Sequence, residues 1–282
     1  MGGERPTWEA FWGAFELFRD PLLCALAAGT VLGFLSVYVV LRRMVFVSAA
    51  ITQAAAMGVA AAFFGGMKIG VHIDPIYGAA VMSLLATLLF IADPARLRFT
   101  RDSLLGMVFS VCGGVAVLLA SRVTQEQNEI QNIIFGSAVV VRPFDLHIVS
   151  GVGAAILALH LWWFRGLTFA SFDPAVARVQ GLPTRLLGAV VFLSIGIMVG
   201  VSARALGALP VFAFSTLPAT AALLLARRRL WLTFIFAGVL GGVAGLGGYV
   251  FAFFLEFPVG ASQTVVAAGI VIVALLVRLV RR

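Results

Sequence analysis

From Pro21 onward the chain alternates long apolar runs with short polar connections. The runs are Leu22 to Leu41, Met44 to Phe64, Ile76 to Ala92, Ser103 to Ala120, Leu146 to Phe164, Leu186 to Ala203, Leu206 to Ala226, Leu230 to Phe254 and Ala261 to Val277. A membrane-crossing helix needs about 20 such residues, so the pattern predicts an all-α polytopic bundle of eight to nine transmembrane helices. Ahead of it, Trp8, Phe11, Trp12, Phe15 and Phe18 recur at helical spacing between Glu9, Glu16 and Arg19. That is the signature of an amphipathic helix lying in the membrane interface. Residues 1–20 therefore read as an interfacial helix and 21–282 as one transmembrane domain. The stretch Ile133 to Val141 is apolar but too short to cross. It follows the polar segment SRVTQEQNEIQN and reads as a re-entrant or interfacial piece.

Composition removes the soluble alternative: 62% of the 282 residues are apolar, 11% are charged, and the mean hydropathy is +1.08. A formal charge of +8 would suggest nucleic acid in a soluble protein, but its distribution gives another reason. Arg42 and Arg43, then Arg96, Arg98 and Arg101, then Arg165, Arg178 and Arg185, then Arg227 to Arg229, then Arg278, Arg281 and Arg282 fall on every second connection. The positive-inside rule puts these connections in the cytoplasm, with Arg5, Arg19, Lys68, Arg122, Arg142 and Arg204 outside. The expected location is a plasma (bacterial inner) membrane, with lipid and no nucleic acid as surroundings. Cys24 and Cys112 lie inside apolar runs, where a thiol acts as a small hydrophobe, and give no disulfide framework or zinc site. The N-terminal stretch lacks the basic-then-apolar layout of a cleavable signal.

The chemistry points away from an enzyme. There is no HExxH, no GxSxG, no pair of intramembrane aspartates and no phosphate-cradling GxxxxGK[ST] loop, so an energy source would reside in another subunit. The acids fall in loops or at span ends, Asp145 being nearest to an exception, which disfavours a proton- or sodium-coupled carrier. Glycines at 238, 241, 242, 245, 247 and 248 suit close helix packing. Pro210 and Pro218 interrupt one run, either kinking it or freeing carbonyls near Ser215 and Thr216 to line a cavity. In the loop RGLTFASFDPAVARVQGLPTR, Asp173 and Pro174 form a helix start, and Gly181 with Pro183 a stop. Such a short surface helix either docks a separate ATPase or merely caps the bundle.

Six segments in order carry a family resemblance: LRRM (41–44), DSLLGMVFS (102–110), IIFGSAVVVRPFDL (133–146), FDPAVARVQG (172–181), VGVSARALGALPVFAFSTLPATAA (199–222) and FPVGASQTVV (257–266). Together they resemble the permease subunit of the zinc/manganese/iron family of ATP-binding-cassette importers. The resemblance implies a homodimeric permease, two cytoplasmic ATPases docked on the loop that holds Phe172, Asp173, Pro174, Ala177 and Gly181, and an extracytoplasmic substrate-binding protein. ATP would be used by the partner, and no cofactor or resident metal is expected in this chain.

One departure bears on the cargo. Where the family pattern has an aspartate and, four residues on, a histidine, this chain has Ala49 and Gln53. Alanine offers no ligand, and a neutral amide is a poor one for zinc or manganese. Ser48, Thr52 and Gln53, with Ser215 and Thr216, either wall a polar pathway or make interhelical hydrogen bonds. His147 and His160 are thirteen residues apart on one span and cannot chelate one ion together; His72 and Asp74 share an external loop. The rival readings are a carrier or channel without an ATPase and a non-transporting scaffold.

Overall fold

The computed structural model describes residues 7–13, 15–70, 73–92, 100–122, 141–226 and 229–281. The re-entrant candidate up to residue 140, His72, Arg96, Arg98, Arg227 and Arg228 lie outside the described residues. All regular structure among the described residues is helical. In chain order the helices are α1 (Trp8–Gly13), α2 (Phe15–Leu41), α3 (Val45–Ile69), α4 (Pro75–Ile91), α5 (Arg101–Ala120), α6 (Pro143–Trp162) and α7 (Phe164–Phe172). They continue as α8 (Pro174–Val179), α9 (Thr184–Leu206), α10 (Ala208–Phe214), α11 (Leu217–Leu225), α12 (Leu230–Leu255) and α13 (Val259–Val280).

Eight of these segments are long and apolar enough to cross a membrane, α10 and α11 together forming one of them. The ninth expected span is α4, with 17 residues. At 1.5 Å per residue it is about 25 Å long, the shortest that can reach across a hydrocarbon core. It starts sharply because Asp74 caps it, accepting from the Ile76 amide at 3.1 Å with Pro75 in the first helical position.

Two segments differ from the sequence expectation. Helix α2 begins at Phe15, so the boundary drawn at Pro21 falls inside it. The extension is held by aromatic packing: Phe18 meets Tyr249 and Phe253 of α12, and Phe11 meets Phe253 and Phe254. The second is the loop at 165–185, where a further helix, α7, precedes the one that Asp173 starts.

Burial separates an inner from an outer layer. In the most apolar stretch of α2, α3 and α9, 72% of residues are buried, against 22, 28 and 17% in α5, α6 and α13, which leave apolar faces open for lipid or partner. The tightest seam joins α2 to α12. A Cβ on Gly29, Gly33, Gly241 or Gly245 would collide with the backbone of the opposite helix, at Gly241, Ala237, Gly29 and Ala25 respectively. Only glycine allows backbones so close.

Candidate functional site

Three places gather polar chemistry. The first is the wall of α3 and the break between α10 and α11. Helix α10 stops at Phe214, and Thr216 with Pro218 opens α11. The expected interruption at Pro218 is thus two half-helices meeting at Ser215 and Thr216. Ser215 donates to the Phe212 carbonyl at 2.7 Å, so the Ser48 hydroxyl, bonded to Ser215 Oγ from α3, acts as the donor in that pair. Thr216 donates to the same Phe212 carbonyl at 3.1 Å, and Thr52 to the Ala49 carbonyl at 2.7 Å. All four hydroxyl groups are buried and have partners.

Successive residues of a helix point about 100° apart, which splits the α3 candidates between two faces. Ser48 turns toward α10, whereas Ala49 lines a groove of 590 Å³ between α3 and α5. The groove wall is mostly apolar, with Phe46, Leu105, Phe109 and Phe212, and its polar groups are Asp102 and Ser110. Gln53 is half-buried, and its Oε1 passes over Gly113 of α5, 3.3 Å from where a Cβ would stand. Among the described residues no three His, Cys, Asp or Glu side chains converge as a metal site. His160 is buried against Phe34 and Tyr38 with Nδ1 at 3.0 Å from the Ile156 carbonyl, and His147 sits at the far end of α6 with Nδ1 2.6 Å from the Pro143 carbonyl.

The second place is the segment around α8. Asp173 Oδ1 accepts from the amides of Ala175 (3.1 Å) and Val176 (3.0 Å), and Pro174 needs no donor partner at the first position. The helix ends where Gly181 adopts φ +79°, letting the Leu182 amide return to the Ala177 carbonyl at 3.0 Å. A Cβ at that φ is strained. Ala177 is fully buried and anchors the helix, while Phe172 (67% exposed) and Val179 (88% exposed) project outward. Phe172 at the end of α7 and Val179 at the end of the capped α8 together make an exposed apolar patch.

The third place joins three residues that the sequence offered separately: Asp145, the acid nearest to a span interior, Asp74 of the external loop, and Arg142 among the outer cations. Arg142 bridges the starts of α4 and α6: its Nη2 is 2.9 Å from Asp74 Oδ1 and 3.1 Å from Asp145 Oδ1, and its Nε is 3.2 Å from Asp145 Oδ2. Asp145 is completely buried. Burial pushes the Asp74 carboxyl up, but Arg142, the Ile76 amide and the more distant Arg204 outweigh it and hold Asp74 below its ordinary value. Lys68 ends α3 just before this loop. Of the positions assigned to the less basic side, Arg142 and Arg204 both act on Asp74, while Arg42, Arg43, Arg178 and Arg185 meet in a groove elsewhere.

A family model described as the ABC 3 transport family matches residues 14–278. The chain is 26% identical over 254 residues to the "Manganese import system permease protein ScaB" of Streptococcus parasanguinis, covering 90% of this chain and 88% of that protein. It is 30% identical over 228 residues to the "Manganese transport system membrane protein MntC" of Bacillus subtilis, covering 79% of this chain and 52% of that one. Among solved structures, "PsaBC from Streptococcus pneumoniae in complex with Fab" aligns with a TM-score of 0.82 at 24% identity, covering 95% of both chains. A structure titled "An inward-facing conformation of a putative metal-chelate type ABC transporter" aligns with a TM-score of 0.68 at 18% identity, covering 96% of this chain and 90% of that one.

Proposed function

The chain belongs to the ABC 3 transport family and is a multi-pass membrane permease subunit of an ATP-binding-cassette transporter, and from that premise we propose that it imports divalent metal, manganese or zinc, as a homodimer driven by two ATPase subunits. The observation that carries the coupling part is the capped α8, with Val179 at its end and Phe172 at the end of α7 both held outward. In this reading Phe172, Asp173, Pro174, Ala177 and Gly181 form the ATPase-docking segment on the cytoplasmic side. An extracytoplasmic binding protein delivers the cargo to the opposite end, where Arg142 lies. The metal class rests on the relatives, whose names assign manganese transport to them.

The pathway runs along α3 and the α10–α11 break. Ser48, Thr52, Ser215 and Thr216 keep that wall polar and neutral, and Gln53 presents an amide beside α5. Because Ala49 cannot ligate and Gln53 binds metal poorly, the cargo passes without a tight intramembrane carboxylate–imidazole site.

The test is reconstitution in proteoliposomes of this chain with its ATPase and binding protein, following manganese and zinc uptake. ATP-dependent uptake is expected, with no stoichiometric metal retained in the spans. An Ala49→Asp, Gln53→His variant should acquire a retained metal. Uptake that ignores ATP would establish a carrier or channel instead, and failure of any ATPase to copurify would leave a scaffold.

A further inference from the structure

Beside α8 lies a groove of 360 Å³ whose wall includes Arg42, Arg43, Arg178 and Arg185 together with Ser171 and Thr184, and, among the described residues, no carboxylate. We propose that this groove receives acidic side chains of the ATPase subunit, so that the ATPase grips the α2–α3 turn as well as α8. The inference rests on the docking reading above and adds to it the chemistry the partner must present.

Three separate stretches of chain supply the arginines: the α2–α3 turn, α8, and the start of α9. A rule that sorts cations to one side of the membrane explains why each connection is basic. It does not explain why they converge on one concavity, where like charges repel. The nearest acid in sequence, Asp173, has its Oδ1 engaged by the Ala175 and Val176 amides. The opening turn of α9 also faces the groove through Thr184, and the amide ends of a helix add to the positive field.

The floor is rigid where it joins the bundle. Arg42 Nε donates to Ser171 Oγ at 2.9 Å, tying the end of α2 to α7 just ahead of the docking segment. Its guanidinium lies over Gly188 of α9, where a Cβ would come 3.0 Å from Nη1. Arg43 holds φ +56°, a left-handed conformation that is unusual for a side chain of this size, and thereby presents its charge at the turn. Four residues past Met44, at Ser48, α3 is already among the pathway candidates, so a carboxylate gripping this turn pulls on the helix that bears Ser48 and Gln53.

An anionic lipid headgroup would offer the same charge. The groove, however, sits over the ends of α2 and α9, the inner helices, and not over α5, α6 or α13, whose faces are open. One wall is α8 itself, from Pro174 to Arg178. Both placements favour the subunit that α8 docks.

The experiment uses the full chain in complex with the ATPase that copurifies with it, in nanodiscs of phosphatidylcholine alone or with added phosphatidylglycerol. Wild-type affinity is expected to fall as salt rises. Arg178→Glu with Arg185→Glu should weaken it by about tenfold or more, as expected for like charges placed across an interface. Arg178→Lys with Arg185→Lys should retain most of it, and an acid-to-lysine change on the ATPase should restore binding to the glutamate variant. Phe172→Ala separates the two readings. If it weakens binding while the glutamate variant binds like wild type, the groove inference fails and the docking reading stands; if neither variant weakens binding, both fail. If the glutamate variant loses only copurifying phosphatidylglycerol and keeps the ATPase, the groove is a lipid site and the inference is overturned.

Discussion

The two polar ends of this bundle handle arginine in opposite ways. At the end that holds the starts of α4 and α6, Arg142 is paired with Asp74 and Asp145 within the chain. At the end that holds α8, Arg43, Arg178 and Arg185 gather with Arg42 around a concavity that has no carboxylate among the described residues. The first end pairs its arginine by folding, and the second is where we propose that a partner supplies the acids. The contrast teaches that charge counts along a sequence give the side of a connection, whereas the pairing of those charges tells whether that side is self-sufficient.

The comparison breaks most readily at Arg142. Arg142→Ala strands the buried Asp145 carboxylate, and breaking a buried pair costs about 3 kcal/mol when both partners are enclosed; with Arg142 partly exposed, a loss of roughly 2 kcal/mol is expected. Thermal unfolding in detergent measures it, with Arg178→Ala as the counterpart at the open end, expected within about 0.5 kcal/mol of wild type. Equal losses at the two ends would abolish the distinction.

A smaller effect is expected at Asp173. Asp173→Ala removes the acceptor of two amides and should destabilise α8 by about 1 kcal/mol. Faster hydrogen exchange at Ala175 and Val176, with α6 unchanged, would report it. Exchange that stays at the wild-type rate would mean that the cap does not hold the helix.

Arg43→Gly should act with the opposite sign on stability. Glycine relieves the left-handed backbone and so stabilises by about 0.5 kcal/mol, while ATPase affinity declines with the lost charge. A variant that is both more stable and equally competent in binding would show that Arg43 has no role at the open end.

The smallest expected effect is a dependence on acid. Asp74 is held below its ordinary value of 3.8, so its contribution is complete above that value and disappears as pH falls through the lower folded value. Asp74→Asn should lower stability by a constant amount near neutrality and flatten the profile in that acidic window. A profile whose slope changes near pH 7 would point to another group.

Much of the frame was legible before the structure. Apolar runs gave the helices because a bilayer demands about 20 residues of one character, and Asp173–Pro174 with Gly181 gave α8 because caps are local chemistry. The length of α2 was not legible, since Pro21 signals a start while rings of α12, more than 230 residues away, hold the chain helical back to Phe15. The polar wall was only half legible. Ser48 and Ser215 stood out as hydroxyls in apolar runs, but their pairing joins positions 167 residues apart. Proximity in sequence grouped Ser48 and Thr52 with Gln53, and helical rotation then set Gln53 against α5 while Ser48 faced α10. The basic groove escaped because it is assembled from two connections, each of which looked like ordinary membrane topology.

The seam between α2 and α12 sets what can vary over evolutionary time. At Gly29, Gly33, Gly241 and Gly245 any side chain would meet backbone, which cannot step aside, so drift at these positions is closed. The hydroxyl wall of Ser48, Thr52, Ser215 and Thr216 lies on α3 and at the α10–α11 break, away from this seam. In the import reading proposed above, a swap there would change what a lineage carries while keeping the frame that carries it.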